Sequence, residues 1–251
     1  MKIRPTTERN KKMNKKYILV LDCETAGDVE KNPTVYDLGA KIVDLYGETV
    51  ECASWVIADV FLNMPDLMES AYYAKKLPQY YEDIDAGRRK LVKLATAKKI
   101  IWQWMFKYNA FDVAAYNCSF DRWALNFTTR LLSNGEDKYF FPRKTRFIDI
   151  WRLACESVCS SRDYQRVAYD NGWYSSAGNV RTTAEYVYRY LANEPTFEES
   201  HTALEDVEIE VKIMVHCWKK IPMDNRDIVP NPWRIPQKVW NYNEAKFDGV
   251  I

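Results

Sequence analysis

Tyr17-Ile-Leu-Val-Leu21 is an unbroken apolar run that stops at two acids one residue apart, Asp22 and Glu24. Apolar residues without alternation mark a strand covered on both faces, so the rest of the chain must supply a packing layer above it and another below. The sequence offers both. A second strand follows over 35–45, with a hairpin turn at Gly47-Glu48, and a third runs from Val50 to Phe61. Helical spacing (Ile101, Trp104, Met105) covers 96–108, and Asp112 to Tyr116 reads as a short strand. Ser119 is an N-cap for a helix whose apolar stripe is Phe120, Trp123, Ala124, Phe127 and Leu131. Further helices are expected at 149–160 and 182–192. A last one carries Leu204, Val207, Val211, Met214, Val215 and Trp218. Three strands in succession, then helices around another strand, predict an α/β fold with a mixed central β-sheet flanked by α-helices.

A chain of 251 residues is one large domain or two small ones. With 47% hydrophobic residues and only 8 glycines, wholesale disorder and fibrous architectures are excluded. The net charge of +1 creates no global field towards nucleic acid or membrane, so such contacts must be local. Residues 1–16 read as a basic N-terminal arm. The apolar run after it is too short for a signal peptide or a membrane span, so the expected protein is soluble and cytoplasmic. Cys155 and Cys159 are four apart on an expected helix, but a closed zinc site needs about four ligands. The 6 cysteines therefore read as mostly buried, reduced thiols. Residues 219–251 form a Pro-rich C-terminal tail, expected to be irregular or extended.

Three places carry chemistry. Alternation along the first strand puts Asp22 and Glu24 on one face and Cys23 on the other. Two acids side by side at the end of a buried strand repel each other, and a divalent cation between them removes that penalty. Hard oxygen ligands suit Mg²⁺ or Mn²⁺; two solvated acids at a strand end is the plainer reading. Asp121 lies at a strand–helix junction, where the helix macrodipole alone is sufficient reason for an acid. His201 precedes the last helix and Asp206 lies in its first turns, with Glu205 pointing away towards solvent. Asp149, at another helix start, reads as a cap, and His216 as an ordinary core or surface histidine.

The order of these pieces resembles the DEDDh 3′–5′ exonucleases, the proofreading-subunit-like branch of the ribonuclease-H-like fold. The resemblance rests on Leu21-Asp-Cys-Glu-Thr-Ala-Gly27, Ala115-Tyr-Asn-Cys-Ser-Phe-Asp121 and His201-Thr-Ala-Leu-Glu-Asp206, with Tyr36-Asp-Leu-Gly-Ala-Lys-Ile-Val43 similar to the family's second strand. It covers roughly residues 17–218. It implies that Asp22, Glu24, Asp121 and Asp206 hold two divalent cations, Mg²⁺ or Mn²⁺, with Asp22 bridging. It implies that His201 is the general base for an attacking water, and that Thr25, Ala26 and Asn117 contact the terminal nucleotide.

The implied activity is removal of nucleoside monophosphates from 3′ ends of single-stranded or frayed DNA in proofreading or repair. RNA trimming is the alternative within enzymes, and a non-catalytic nucleic-acid-binding scaffold the alternative outside them. Where many family members carry a His-Gly-Ile-like loop, this sequence reads Ala71-Tyr-Tyr-Ala-Lys-Lys76. Tyr72 and Tyr73 are suited to stacking on bases or to packing. Lys75, Lys76, the cluster from Arg88 to Lys99, and Arg143, Lys144 and Arg146 are either phosphate contacts or solvated faces. The tail, with Trp233 and Trp240, either docks a DNA polymerase or replisome partner or wraps the domain's own surface. Oligomeric state is not legible.

Overall fold

The computed structural model describes residues 16–71, 74–221 and 229–239. The arm expected at 1–16 lies outside them except for Lys16, as do Tyr72, Tyr73 and Trp240. The first apolar run becomes β1 (Tyr17–Ala26), which pairs antiparallel with β2 (Thr34–Asp44) and parallel with β5 (Asp112–Ala115). β2 pairs antiparallel with β3 (Thr49–Ile57), β3 parallel with β4 (Lys90–Val92), and β5 parallel with β6 (Arg146–Asp149). The sheet order is β4-β3-β2-β1-β5-β6, which is mixed and has β1 and β2 at its centre. The expected hairpin forms: Gly47, at φ +89°, closes the turn with its N–H on Asp44 O, while the Asp44 carboxylate accepts from the N–H groups of Tyr46 and Glu48.

The helices are α1 (Ala58–Phe61), α2 (Pro65–Met68), α3 (Leu77–Asp85), α4 (Leu94–Tyr108), α5 (Cys118–Leu132), α6 (Ile150–Ala154), α7 (Arg162–Asp170), α8 (Ala184–Ala192), α9 (Ala203–Trp218) and α10 (Arg234–Val239). A π-helical turn, Cys155–Cys159, extends α6. Alternation along β1 divides the core. Leu19, Leu21 and Cys23 pack with Ile101 and Met105 of α4 and Ala124 and Leu125 of α5. Ile18 and Val20 pack with Val207 and Met214 of α9 and with α6 on the other face. Both faces of β1 are covered, as its unbroken apolar run requires.

Four local expectations are corrected. β3 stops at Ile57, and Ala58–Phe61 turn into α1, where Asp59 accepts the N–H of Leu94 at 2.9 Å. The N-cap of α5 is Asn117, in the left-handed region at φ 65°, and Ser119 is inside the helix. The face of α5 that is buried is Cys118, Asp121, Ala124, Leu125, Thr128 and Thr129, rotated from the expected aromatic stripe. Polar side chains occupy that face because each finds a partner there: the Thr128 hydroxyl accepts the N–H of Val35 at 2.9 Å and donates to Ala124 O. Finally, the tail is not all irregular. Residues 234–239 form α10, Pro232 and Pro236 are buried, and Gln237 hydrogen-bonds both the N–H and the carbonyl of Val180 at 3.3 Å.

Candidate metal centre

Asp22 and Glu24 extend the α9-facing row of β1, and Asp206 descends onto them from the first turns of α9. Each offers a carboxylate oxygen, and these three oxygens lie within 4.8 Å of one another. Such closeness depends on how near α9 can come to the sheet. Gly39 of β2 is paired in register with Asp22, and a Cβ built on it would stand 2.4 Å from the backbone of Ala203 and Leu204. Only a residue without a side chain lets the helix start so low over the strand. Two residues away, the Asp37 carboxylate accepts the N–H of Ala203 at 3.1 Å, satisfying one of the orphan donors of the helix N-terminus.

Asp37 is held in turn. Its Oδ2 accepts from the Tyr80 hydroxyl at 2.7 Å and from Arg89 at 3.3 Å. Arg89, 4% exposed, also donates to Asp83 at 3.0 Å, to Ser54 at 2.9 Å and to both oxygens of Glu205 at 3.0 and 3.1 Å. Arg89 is therefore an internal brace rather than a phosphate contact or part of a solvated face. Glu205, expected in solvent, is half-exposed but ion-paired.

The electrostatics of the centre are those of crowded acids. Burial, then the charges of Asp206 and Asp37, push Glu24 up to about 8. Burial and the neighbouring Glu205 push Asp206 up to about 7. Asp22 is raised well above the ordinary carboxylate range by burial and then by Asp121 and Glu210. Asp121 is 2% exposed and raised to about 7 by burial, yet it does not join the three converging oxygens. Its Oδ1 instead accepts from the Cys23 thiol at 3.2 Å, across the alternation of β1 from Asp22. A partly buried set of hard oxygen donors held against mutual repulsion fits a divalent cation of the Mg²⁺ or Mn²⁺ type, and the donors seen to converge make one such site.

The remaining predicted residues frame this centre. His201 has φ 52°, its Nδ1 is 4.0 Å from Glu199 Oε2, and burial and the charge of Lys76 lower its pKa. Lys76 donates to the carbonyl of Ser200, next to His201. Thr25 and Ala26 are buried at the end of β1, opposite Val35 and Thr34, just past an irregularity in the ladder. The N–H of Asn117 donates to Asp149, and its side-chain oxygen accepts from Ser119. Asp149 caps α6 by accepting the N–H of Trp151 at 3.0 Å. Of the other basic candidates, Arg146 is paired with Asp112 at 2.6 and 2.7 Å, and Lys144 lies 3.4 Å from the centre of the Phe111 ring.

Two acids at the centre escaped the sequence reading. Glu210, one turn beyond Asp206, is 2% exposed and accepts the N–H of Tyr116 at 3.1 Å, while its second oxygen has no hydrogen-bond partner. Glu199 is raised to about 8 by burial and by Asp206. The i, i+4 spacing from Asp206 was the available signal for Glu210. All 6 cysteines are free, with Cys52 exposed and the others buried, and no helix among the described residues is long and apolar enough to cross a membrane.

No protein-family model matches the sequence, and no curated protein does. Solved structures do. A zinc-bound complex of Escherichia coli exonuclease I with single-stranded DNA superposes with a TM-score of 0.50 at 15% identity, over 83% of this chain and 42% of that one. Escherichia coli exonuclease I with a dA16 oligonucleotide gives 0.46 at 14% identity over 79% and 40% of the two chains. Exonuclease I from Methylocaldum szegediense gives 0.46 at 17% identity over 83% and 41%. The chain thus spans about two fifths of the length of the structures it matches. The likeness to the first of them shows the fold, a ribonuclease-H-like mixed β-sheet flanked by α-helices.

Proposed function

We propose that this chain is a metal-dependent 3′–5′ exonuclease that hydrolyses phosphodiester bonds at 3′ ends of single-stranded or frayed DNA and releases nucleoside monophosphates. The observation that carries the proposal is the convergence of Asp22, Glu24 and Asp206 within 4.8 Å, on a fold shared with exonuclease I. In this reading Asp22, Glu24 and Asp206 hold a divalent cation and Asp121 completes a second site beside Asp22. Cations there would lower the pKa of a water and stabilise the attacking and leaving oxygens. His201, at the rim of the cluster with a pKa below that of a free imidazole, is neutral at pH 7 and able to accept the water's proton through a ring nitrogen. Thr25, Ala26 and Asn117, at the ends of β1 and β5, contact the terminal nucleotide. In this reading the activity serves proofreading or repair in the cytoplasm, with a DNA polymerase or replisome as the proposed partner.

The test is a time course on 5′-labelled single-stranded DNA and on RNA of the same sequence, with Mg²⁺ or Mn²⁺. A ladder shortening from the 3′ end, abolished by chelator and by Asp22→Asn, is expected, faster on DNA. Full activity in Asp22→Asn would sink the assignment.

A further inference from the structure

The inner face of α5 carries Asp121; its outer face carries a groove of about 300 Å³. The groove starts at Ser119, two residues from Asn117, and is lined by Arg122, Trp123, Arg130, Lys138 and Tyr139 with no acid among its residues. Ser119 to Arg130 is eleven residues, about 16 Å of helix at 1.5 Å per residue. Arg130 and Lys138 have no carboxylate partner among the described residues, in a molecule where Arg89, Arg146, Arg152 and Arg189 are all ion-paired. Arg122, which lines the groove, has its guanidinium over the Phe147 ring at 4.8 Å. Tyr139 is 64% exposed. Trp123 is half-buried, edge-on to Phe120 at 6.3 Å. Cations without a carboxylate partner stand here beside Trp123 and the exposed Tyr139, in a chain whose net charge is only +1. That combination matches a backbone of phosphates and a row of bases.

We infer that this groove is the track for single-stranded DNA upstream of the cleaved end. Arg122, Arg130 and Lys138 meet phosphates, Trp123 and Tyr139 stack on bases, and the strand passes Ser119 and Asn117 to reach the acidic cluster. The inference deepens the proposed function and rests on it for the direction of the strand.

The test is fluorescence anisotropy of 5′-labelled (dT)12 with the full chain in EDTA, over 50 to 200 mM salt. Each phosphate contact on a single strand contributes about 0.7 to the salt slope. Arg130→Ala/Lys138→Ala is expected to reduce the slope by about 1.4 and to weaken binding at 0.1 M salt about 10- to 30-fold. Trp123→Ala is expected to weaken it about 5-fold or more, with the slope unchanged. Lys212→Ala/Lys219→Ala makes the same change of charge in the C-terminal half of α9 and at its cap, and is expected to bind like wild type. Wild-type affinity and slope in the Arg130/Lys138 variant, or an equal loss in the Lys212/Lys219 control, overturns the track. Hydrolysis of the p-nitrophenyl ester of thymidine 5′-monophosphate by the wild-type protein separates the two levels. If neither the ester nor the oligonucleotide is cleaved while the groove variants still lose binding, the exonuclease reading fails and the groove stands.

Discussion

The carboxylate of Asp37 accepts the backbone N–H of Ala203 at 3.1 Å, tying the second strand of the sheet to the first residue of the helix that carries Asp206. Beside it Gly39 leaves room for the same helix start. Together they set the height of Asp206 over Asp22 and Glu24, so the acidic cluster is built by residues that are not in it.

Gly39→Ala tests this directly. The added methyl meets backbone rather than a side chain that can turn away. A loss of about 1–3 kcal/mol in urea unfolding is expected for such overpacking, together with weaker Mn²⁺ binding by calorimetry. Arg89→Met is expected to cost about 3–5 kcal/mol, because it strands the buried Asp37 charge. Arg89→Met with Asp37→Leu should recover part of that loss. A double variant no more stable than Arg89→Met would show that Asp37 is not what Arg89 neutralises.

The catalytic assignment separates into two variants. Asp22→Asn removes a carboxylate from the converging set and is expected to abolish both Mn²⁺ binding and cleavage. His201→Ala is expected to leave Mn²⁺ binding intact and to lower the cleavage rate by about 10²–10⁴, the range for loss of a general base. Equal rates with and without the imidazole would remove His201 from the mechanism.

Much of this was legible in the sequence, for identifiable reasons. The unbroken run at Tyr17–Leu21 demanded cover on both faces, and alternation placed Asp22 and Glu24 together towards α9. What stayed hidden depended on partners distant in the chain. Thr128 is absent from the aromatic stripe expected for its helix, and it is buried because its hydroxyl accepts the N–H of Val35. Arg89 lies within a basic cluster that looks solvated until three acids from β2, α3 and α9 close around it. Glu210 breaks the apolar pattern of α9 and is buried all the same, because it faces the N–H of Tyr116.

Stability should depend on pH in the direction opposite to that of a salt-bridged acid. Glu24 and Glu199 titrate near 8, and Asp121 and Asp206 near 7, in the folded chain. Unfolded, such groups titrate at about 3.9–4.3. The native state therefore binds more protons than the unfolded state across that interval, so the unfolding free energy decreases as pH rises. The contribution is fully present below about pH 4 and is lost as pH rises through 7 to 8. In EDTA the melting temperature is expected to fall between pH 6 and pH 8. A cation at 100 times its dissociation constant adds about 2.7 kcal/mol, and adds it chiefly at pH 8, where the acids are ionised. Equal melting temperatures at the two pH values in EDTA would mean that the acids do not share their burial as described.

The described part of the tail makes a prediction of its own. Pro232 and Pro236 are buried, and Gln237 bonds both polar groups of the Val180 backbone, in the segment between α7 and α8. A chain ending at Lys220 loses those bonds and uncovers the surface under α10, which packs against the π-helical turn Cys155–Cys159. Two hydrogen bonds at about 0.5–1.5 kcal/mol each give an expected loss of about 1–3 kcal/mol, to which the exposed apolar area adds. The acidic cluster lies on β1 and the early turns of α9, so cleavage per folded molecule should persist. A truncated chain with the full melting temperature would show that α10 contributes nothing to the fold and would leave the tail free for a partner. Lowered stability with cleavage retained would make it a cover for the core at the π-helical turn Cys155–Cys159.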